Sequence, residues 1–357
     1  MEKDCVIYVV GAGDFPIYEK ALYDAFIELG YANSKLITWK EKYKTDGILF
    51  RYLTRLEHHF GVGSQTTAFN KYLIDICIKD KPDILFLYSC RMVYPKTIKM
   101  LRSLGIYIAS YCNDDPFSER YKPYFWINYK NSLKYCDVNY VYRHTNINDV
   151  ERITGRPGEL LRAYYIEASN YPCSQEEIIE DVPDVIFLGH IEDDERSEYL
   201  NSIVEKNIKI GLNKLAYGDW SRGKKNVVFL DNPRDWYNRY LCSCKIPLVF
   251  LSKLNRDTYT RRCFEIPAAG AFLFCPYTED LASMFEENKE VVFYRSKNEF
   301  IDKIEYYLKH DEDRIAIAQA GRRRLLRDGH EVKNRARQVL DDYYEKEIVQ
   351  KRCKKEK

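Results

Sequence analysis

Short continuous apolar runs alternate along the whole chain with segments whose apolar residues recur every three or four positions. In the first half the runs Cys5–Val10, Lys35–Thr38, Ile84–Tyr88, Tyr107–Tyr111 and Val138–Tyr142 read as strands. Helical spacing lies between them. It covers Tyr18–Leu29, where Ala21, Leu22, Ala25, Phe26 and Leu29 share a face, and then Asn70–Lys79, Pro95–Leu104, Glu119–Tyr135 and Asn146–Ile153. Uninterrupted apolar strands separated by helices predict a parallel sheet buried on both faces. The polar, acidic stretch Ile166–Pro183 breaks the rhythm and reads as a linker. Strand-like runs then restart at Val185–Leu188, Ile208–Leu212, Val227–Leu230, Pro247–Leu251, Ala271–Cys275 and Val291–Tyr294. The pattern predicts two α/β halves in series, residues 1–165 and 184–331, followed by a polar helix over Val332–Val349 and a basic tail at 351–357.

The chain has 357 residues, enough for two cores, with 45% apolar and 31% charged residues. Its 56 basic and 54 acidic residues leave a formal charge of +2, so no global field gathers nucleic acid or anionic membrane. Any anion site must be local. No apolar run approaches the roughly 20 residues that span a bilayer, and the start lacks a secretory apolar region. Eleven cysteines, an odd number, sit mostly within apolar runs. Reduced, buried thiols in a cytoplasmic protein are expected, and no His/Cys cluster supports a metal. For the basic tail, a frayed, solvated helix end is expected in preference to a membrane or phosphate role, because no apolar stripe accompanies it.

Four segments carry candidate chemistry. The first strand ends in Gly11-Ala12-Gly13-Asp14, a turn that lets a ligand approach backbone N–H groups or simply joins strand to helix. The dinucleotide fingerprint is incomplete, since Pro16 stands where a third glycine belongs. Asn113-Asp114-Asp115-Pro116 follows the strand at Tyr107–Tyr111. Its paired carboxylates can supply a general base with a raised pKa, or cap the next helix. Gly189 and His190 end the first strand of the second half, ahead of the acidic run Glu192–Glu195. His190 is either a hydrogen-bonding group for a diphosphate or sugar, or a structural residue. The acidic run would repel phosphate there.

The richest segment runs from Leu251 to Gly270 and holds Asp257, Arg261, Arg262 and Glu265. Two arginines at a helix start suit a diphosphate, and a glutamate one turn on can accept ribose hydroxyls. The alternative is an i,i+4 surface pair between Arg261 and Glu265. Phe264, Ile266 and Pro267 surround Glu265, a setting that favours a ligand or a buried partner.

Asp257 and Glu265 are spaced as in the E-x7-E element of GT-B glycosyltransferases, and "YTRRCFEIPAAGAFLFCPYTEDLASMFEENKEVVFYRSKNEFIDKIEYYL" resembles the C-terminal region of CgeB/YkvP-like glycosyltransferases. The resemblance extends through "KPDILFLYS", "YCNDDPF", "VYRHTNI" and "VIFLGHIEDDER". It implies two Rossmann-like domains facing one cleft, the second holding a nucleoside-diphosphate sugar, with the last helix crossing back to the first. By the same resemblance Glu265 contacts the donor ribose and Arg261 and Arg262 lie near the diphosphate. Asp257, one methylene shorter than the family's glutamate, approaches the sugar hydroxyls. Gly11, Gly13, Asp14, Asn113, Asp114 and Asp115 then face the acceptor. Such enzymes usually need no metal and no cofactor beyond the donor.

The expected activity is sugar transfer to an acceptor hydroxyl of a glycan, a protein or a modified DNA base. An inverting course offers Asp114 or Asp115 as base, and a retaining course identifies none. A nucleotide-sugar epimerase and a non-catalytic surface or spore-coat protein on the same fold stay open. The 31 tyrosines include Tyr121 and Tyr124, which suit either sugar stacking or packing.

Overall fold

The computed structural model describes residues 4–355 apart from positions 45, 191, 193 and 233, with side chains to residue 346. The side chains of the basic tail at 351–357 lie outside the described residues. The chain divides into two compact units, Met1–Arg162 with Val332–Lys357, and Ala163–Glu331.

The first unit is built on six parallel strands: β1 (Ile7–Gly11), β2 (Lys35–Thr38), β3 (Ile84–Tyr88), β4 (Tyr107–Cys112), β5 (Val138–Val141) and β6 (Glu159–Leu160). Their spatial order is β2-β1-β3-β4-β5-β6. Every residue of β1, β3, β4 and β5 is buried, which is why these segments read as continuous apolar runs. The intervening helices are α1 (Glu19–Glu28), α2 (Trp39–Lys42), α3 (Ile48–Phe60), α4 (Ser64–Asp80), α5 (Pro95–Ser103), α6 (Ile127–Ser132) and α7 (His144–Thr154). The helix expected over Glu119–Tyr135 is cut to α6 and a single 3-10 turn at Leu133–Tyr135. Pro123 disfavours helical backbone at Lys122, and Tyr121 instead stacks on Phe125, 5.1 Å between ring centres.

Helix α3 was not foreseen, and it docks by its polar side. Glu57, its one buried residue, accepts hydrogen bonds from the N–H groups of Gln65 and Thr66 at 3.1 and 2.8 Å and so caps α4. Desolvation alone would raise the Glu57 pKa, but these donors outweigh it and hold it low. One residue on, a ring nitrogen of His58 accepts from Arg91 Nη2 at 2.9 Å. Burial and the neighbouring Arg91 guanidinium depress the His58 pKa from 6.5 to about 4, so the ring stays neutral and able to accept.

The second unit holds β7 (Val185–Phe187), β8 (Ile210–Leu212), β9 (Val227–Phe229), β10 (Ile246–Pro247), β11 (Phe274–Pro276) and β12 (Val292–Tyr294), all paired in parallel. A bridge between Leu248 and Phe274 extends the four-stranded order β10-β7-β8-β9 to β11 and β12. Its helices are α8 (Arg196–Glu205), α9 (Lys214–Tyr217), α10 (Tyr237–Ser243), α11 (Arg262–Ala268), α12 (Glu279–Met284), α13 (Lys297–Tyr307) and α14 (Asp311–Arg327). Phe187, Phe250, Phe274, Tyr294 and Phe300 fill the core between sheet and helices.

The stretch 166–183, read as a linker, clusters with this unit and is tied to α10. Asn238 Nδ2 donates to the Tyr171 carbonyl at 2.8 Å, and Arg239 Nε donates to the Glu177 carbonyl at 2.6 Å. Its polar composition reflects these backbone contacts at a surface, not freedom from the fold. The final helix, α15 (Val332–Lys355), belongs to the first unit. There Gln338 Nε2 donates to the Leu160 carbonyl at 3.0 Å, the Tyr140 hydroxyl bonds Asp342, and Lys333 pairs with Glu28 at 2.9 Å.

A Cβ at Gly321, on α14, would collide with the Glu290 carbonyl, a backbone atom that cannot swing away. Gly321→Ala should cost about 1–3 kcal/mol, read as a lowered unfolding midpoint; an unchanged midpoint would show that α14 is not held this close. Because the His58 pKa is lower folded than unfolded, the unfolded chain binds the extra proton between about pH 6.5 and 4. Stability is therefore lost as pH falls through that window. His58→Gln should flatten that part of the Tm–pH curve, and parallel curves for the two proteins would refute it.

Candidate functional site

In each sheet the strand order reverses beside the first strand of the unit, between β1 and β3 and between β7 and β10. At such a point the neighbouring crossovers leave opposite faces, so a crevice opens beyond the carboxyl ends of the strands. The candidate residues fall around these two places.

In the second unit β7 runs into Leu188-Gly189-His190. Arg262, the first residue of α11, reaches across and donates from Nη2 to the Leu188 carbonyl at 2.9 Å. Its Nε is buried with no hydrogen-bond partner among the described residues. Gly189 is buried, and a Cβ there would strike the Phe187 ring, so the strand end must be glycine. The His190 side chain is exposed, and its carbonyl accepts from the Tyr217 hydroxyl at 3.1 Å and from Arg196 Nη1 at 2.5 Å.

Arg196 changes the electrostatics foreseen for this strand end. It is 5% exposed and grips Asp194 with Nε and Nη2, both at 2.9 Å, while lying 3.3 Å from Glu192. Ser252 Oγ also donates to Glu192 at 2.8 Å. Arg196 thus offsets one of these two charges, and the exposed Glu195 pairs with Lys253 at 2.8 Å, so the described acidic run carries less net charge than its sequence suggests. Asp193 of that run lies outside the described residues. Helix α8 also begins at Arg196, after the acids and not with them.

Glu265 is 7% exposed. Arg261 approaches its Oε1 with Nε and Nη2, each at 2.9 Å, and the Tyr237 hydroxyl donates to Oε2 at 2.9 Å. Each carboxylate oxygen can accept about two hydrogen bonds, so Oε2 keeps capacity for a further donor. Burial, and then the adjacent Glu265 charge, push the Tyr237 pKa well above its usual value, so it remains a donor. Tyr237 was invisible to spacing, because it sits on another helix 28 residues away. Asp257 closes the loop after β10: its Oδ2 accepts from the Ser252 N–H at 3.3 Å and its own N–H donates to the Ser252 carbonyl at 3.0 Å. It stands partly exposed, before α11.

In the first unit the turn after β1 is not an open cradle. Glu19, 2% exposed, folds its side chain over Gly11, where a Cβ would collide with it, and accepts the Gly13 N–H at 2.5 Å. Burial raises the Glu19 pKa, and the Gly13 bond opposes that. The Gly13 N–H is therefore taken by the chain's own carboxyl and not offered to a ligand, in keeping with the alternative reading of this turn as a join between strand and helix. Asp14 is exposed and ion-paired with Lys40.

After β4, Asp115 is fully buried, and its Oδ1 accepts from the Phe117 N–H at 3.0 Å and Asn146 Nδ2 at 2.9 Å. A carboxylate so enclosed cannot touch a substrate, so Asp115 is corrected from candidate base to the group that shapes the turn. Asp114 beside it is partly exposed. Desolvation raises its pKa against the opposing pull of Arg143 and Arg120. Asn113 Oδ1 accepts from Ser89 Oγ at 3.2 Å, and the Asn113 carbonyl accepts from buried Arg143 at 2.9 Å. The structure thus brings Asn113 and Asp114 together at the end of β4, near Arg91 and Arg143. Among the described residues, no group of three or more His, Cys, Asp or Glu side chains is arranged to hold a metal ion.

Residues 196–341 match the family described as "Glycosyl transferase-like". No curated protein sequence matches the chain. Among solved structures, Anabaena HepE in complex with UDP and glucose superposes with a TM-score of 0.70 at 10% identity, covering 96% of this chain and 100% of that one. Its complex with UDP-glucose gives 0.70 at 9% identity, covering 95% and 99%. Sucrose-phosphate synthase from Thermosynechococcus elongatus gives 0.71 at 12% identity, covering 97% and 100%. The chain therefore has the GT-B fold.

Proposed function

We propose that this chain transfers a sugar from a nucleoside-diphosphate sugar to an acceptor hydroxyl, and that it is one of the CgeB/YkvP-like glycosyltransferases. The observation that carries the proposal is the Arg261–Glu265–Tyr237 constellation, centred on buried Glu265 beside Arg262 at the β7/β10 reversal, inside the matched segment 196–341. The solved neighbours named for UDP and UDP-glucose support the donor class.

In this proposal Arg262 takes the charge that grows on the departing diphosphate, from a position already fixed by Leu188. Glu265 accepts ribose hydroxyls through the capacity left on Oε2. Gly189, His190 and Asp257 contact the diphosphate and sugar. In an inverting course the acceptor oxygen attacks the anomeric carbon and its proton passes to Asp114, while the electron pair of the breaking bond leaves with the diphosphate. A raised pKa suits a carboxylate that must take a proton near neutrality. Arginine in place of a divalent cation, and a cytoplasmic setting for ten described free thiols, complete the proposal.

A thermal-shift screen against UDP, GDP, CDP, dTDP, ADP and NAD tests the donor class. At a hundredfold excess over its dissociation constant a ligand of the folded state adds about 2.7 kcal/mol of apparent stability. A shift with one nucleoside diphosphate is expected, and a shift with NAD alone would overturn the proposal. Glu265→Ala should weaken that nucleotide's binding by about 1–3 kcal/mol, measured by calorimetry on protein shown to be folded. Equal affinity would remove Glu265 from the site. Asp114→Asn should spare donor binding and abolish the acid limb of kcat/KM, which should lie above the ordinary carboxylate value of 3.8. Full activity in that variant would leave Asp114 without the role of base. Turnover without any acceptor would identify an epimerase instead.

A further inference from the structure

Helix α3 has its amphipathicity inverted. A surface helix normally buries its apolar stripe and turns its polar side to water. Here Thr54, Glu57 and His58 hold the helix to the first unit, and Glu57 is its only buried residue. Ile48, Leu49 and Tyr52 are 81%, 67% and 60% exposed, and Leu56 and Phe60 are exposed with them. At about 100° per residue these five side chains fall within an arc of about 120°. Val62, just beyond the helix, is exposed as well. So large an uncovered apolar face marks an interaction surface.

The charges beside this face select the partner. Arg51 and Arg55 flank the apolar arc on one side, both exposed, and neither makes an ion pair among the described residues. The only acid of the helix is the buried Glu57. His59 lies within the arc and bonds the Tyr124 hydroxyl at 2.9 Å. A second copy packed on this face about a two-fold axis would bring the same cationic flank to both sides, with no exposed acid on either helix to answer it. Lipid phosphates answer it directly. Apolar side chains below and arginines at headgroup level form the pattern of a helix lying in a membrane interface. No helix is long and apolar enough to cross a membrane among the described residues, so the attachment is to one leaflet.

We propose that α3 is a docking helix that lays the first unit on an anionic lipid bilayer, burying Leu49, Leu56 and Phe60 at the acyl boundary and setting Arg51 and Arg55 against lipid phosphates. The attachment stands apart from the transferase proposal, because vesicle binding is read without donor or acceptor.

The test is co-sedimentation of the full chain with vesicles of phosphatidylcholine alone and of phosphatidylcholine with a third phosphatidylglycerol. Pelleting with the anionic vesicles only is expected. Arg51→Glu with Arg55→Glu should lower the bound fraction roughly tenfold or more. Leu49→Glu with Leu56→Glu should abolish binding while the unfolding midpoint holds, since both side chains are exposed already. No pelleting with anionic vesicles overturns the proposal, as does undiminished binding by either variant. A dimer in sedimentation velocity that the leucine variant dissociates, with no vesicle binding, would assign the face to a second copy and likewise overturn it.

Discussion

Parallel pairing is the constraint on which the rest depends. Strands that run the same way need a crossover between them, and crossovers bury both faces of the sheet. The two sheets therefore have no open face on which to build a site. Ligand chemistry is pushed to the carboxyl ends of the strands, and within those ends to the points where the strand order reverses. In the first unit that is the region of Gly11, Ser89 and Asn113; in the second it is the region of Leu188, Ser252 and Arg262.

At those ends buried carboxylates are satisfied from within each unit. Glu19 takes the Gly13 amide, Asp115 takes the Phe117 amide and Asn146, Arg196 takes Asp194 and Glu192, and Arg261 with Tyr237 takes Glu265. Each pairing gives a buried carboxylate the hydrogen bonds or the opposite charge without which its burial would be expensive. Among the described groups that keep unused capacity are the partly exposed Asp114, the Nε of Arg262 and a lone pair of Glu265. The same logic explains α3. Its polar residues were drawn inward by the orphan amides at the start of α4 and by Arg91, and its apolar residues were turned outward as a result.

Two arginines of the second unit do different work although they are adjacent. Arg261 is bound up with Glu265 and with the Tyr164 ring, 4.8 Å from its guanidinium, and so sets the position of the carboxylate. Arg262 points the other way, to the carbonyl at the end of β7, and keeps its charge for what lies beyond the strands. A helix turns about 100° per residue, so side chains of neighbouring residues leave it in different directions.

The strands were legible because burial on both faces leaves an uninterrupted apolar run: Lys35–Thr38 and Ile84–Tyr88 coincide with β2 and β3, and Tyr107–Tyr111 falls one residue short of β4. The α/β class followed from the sequence for the same local reason. Contacts distant in the chain did not. Glu19 folded over Gly11, Tyr237 against Glu265, Arg196 upon the acidic run and the docking of 166–183 on α10 all depend on which elements become neighbours. The side on which α3 is held was also decided there, because helical spacing shows that an apolar face exists but not whether it faces the core. Sequence by itself determined the elements and the kind of sheet, through propensity and the period of apolar residues. Only the tertiary structure decided which charges would be spent on the fold and which left for a ligand, because pairing energy depends on distance in space, not along the chain.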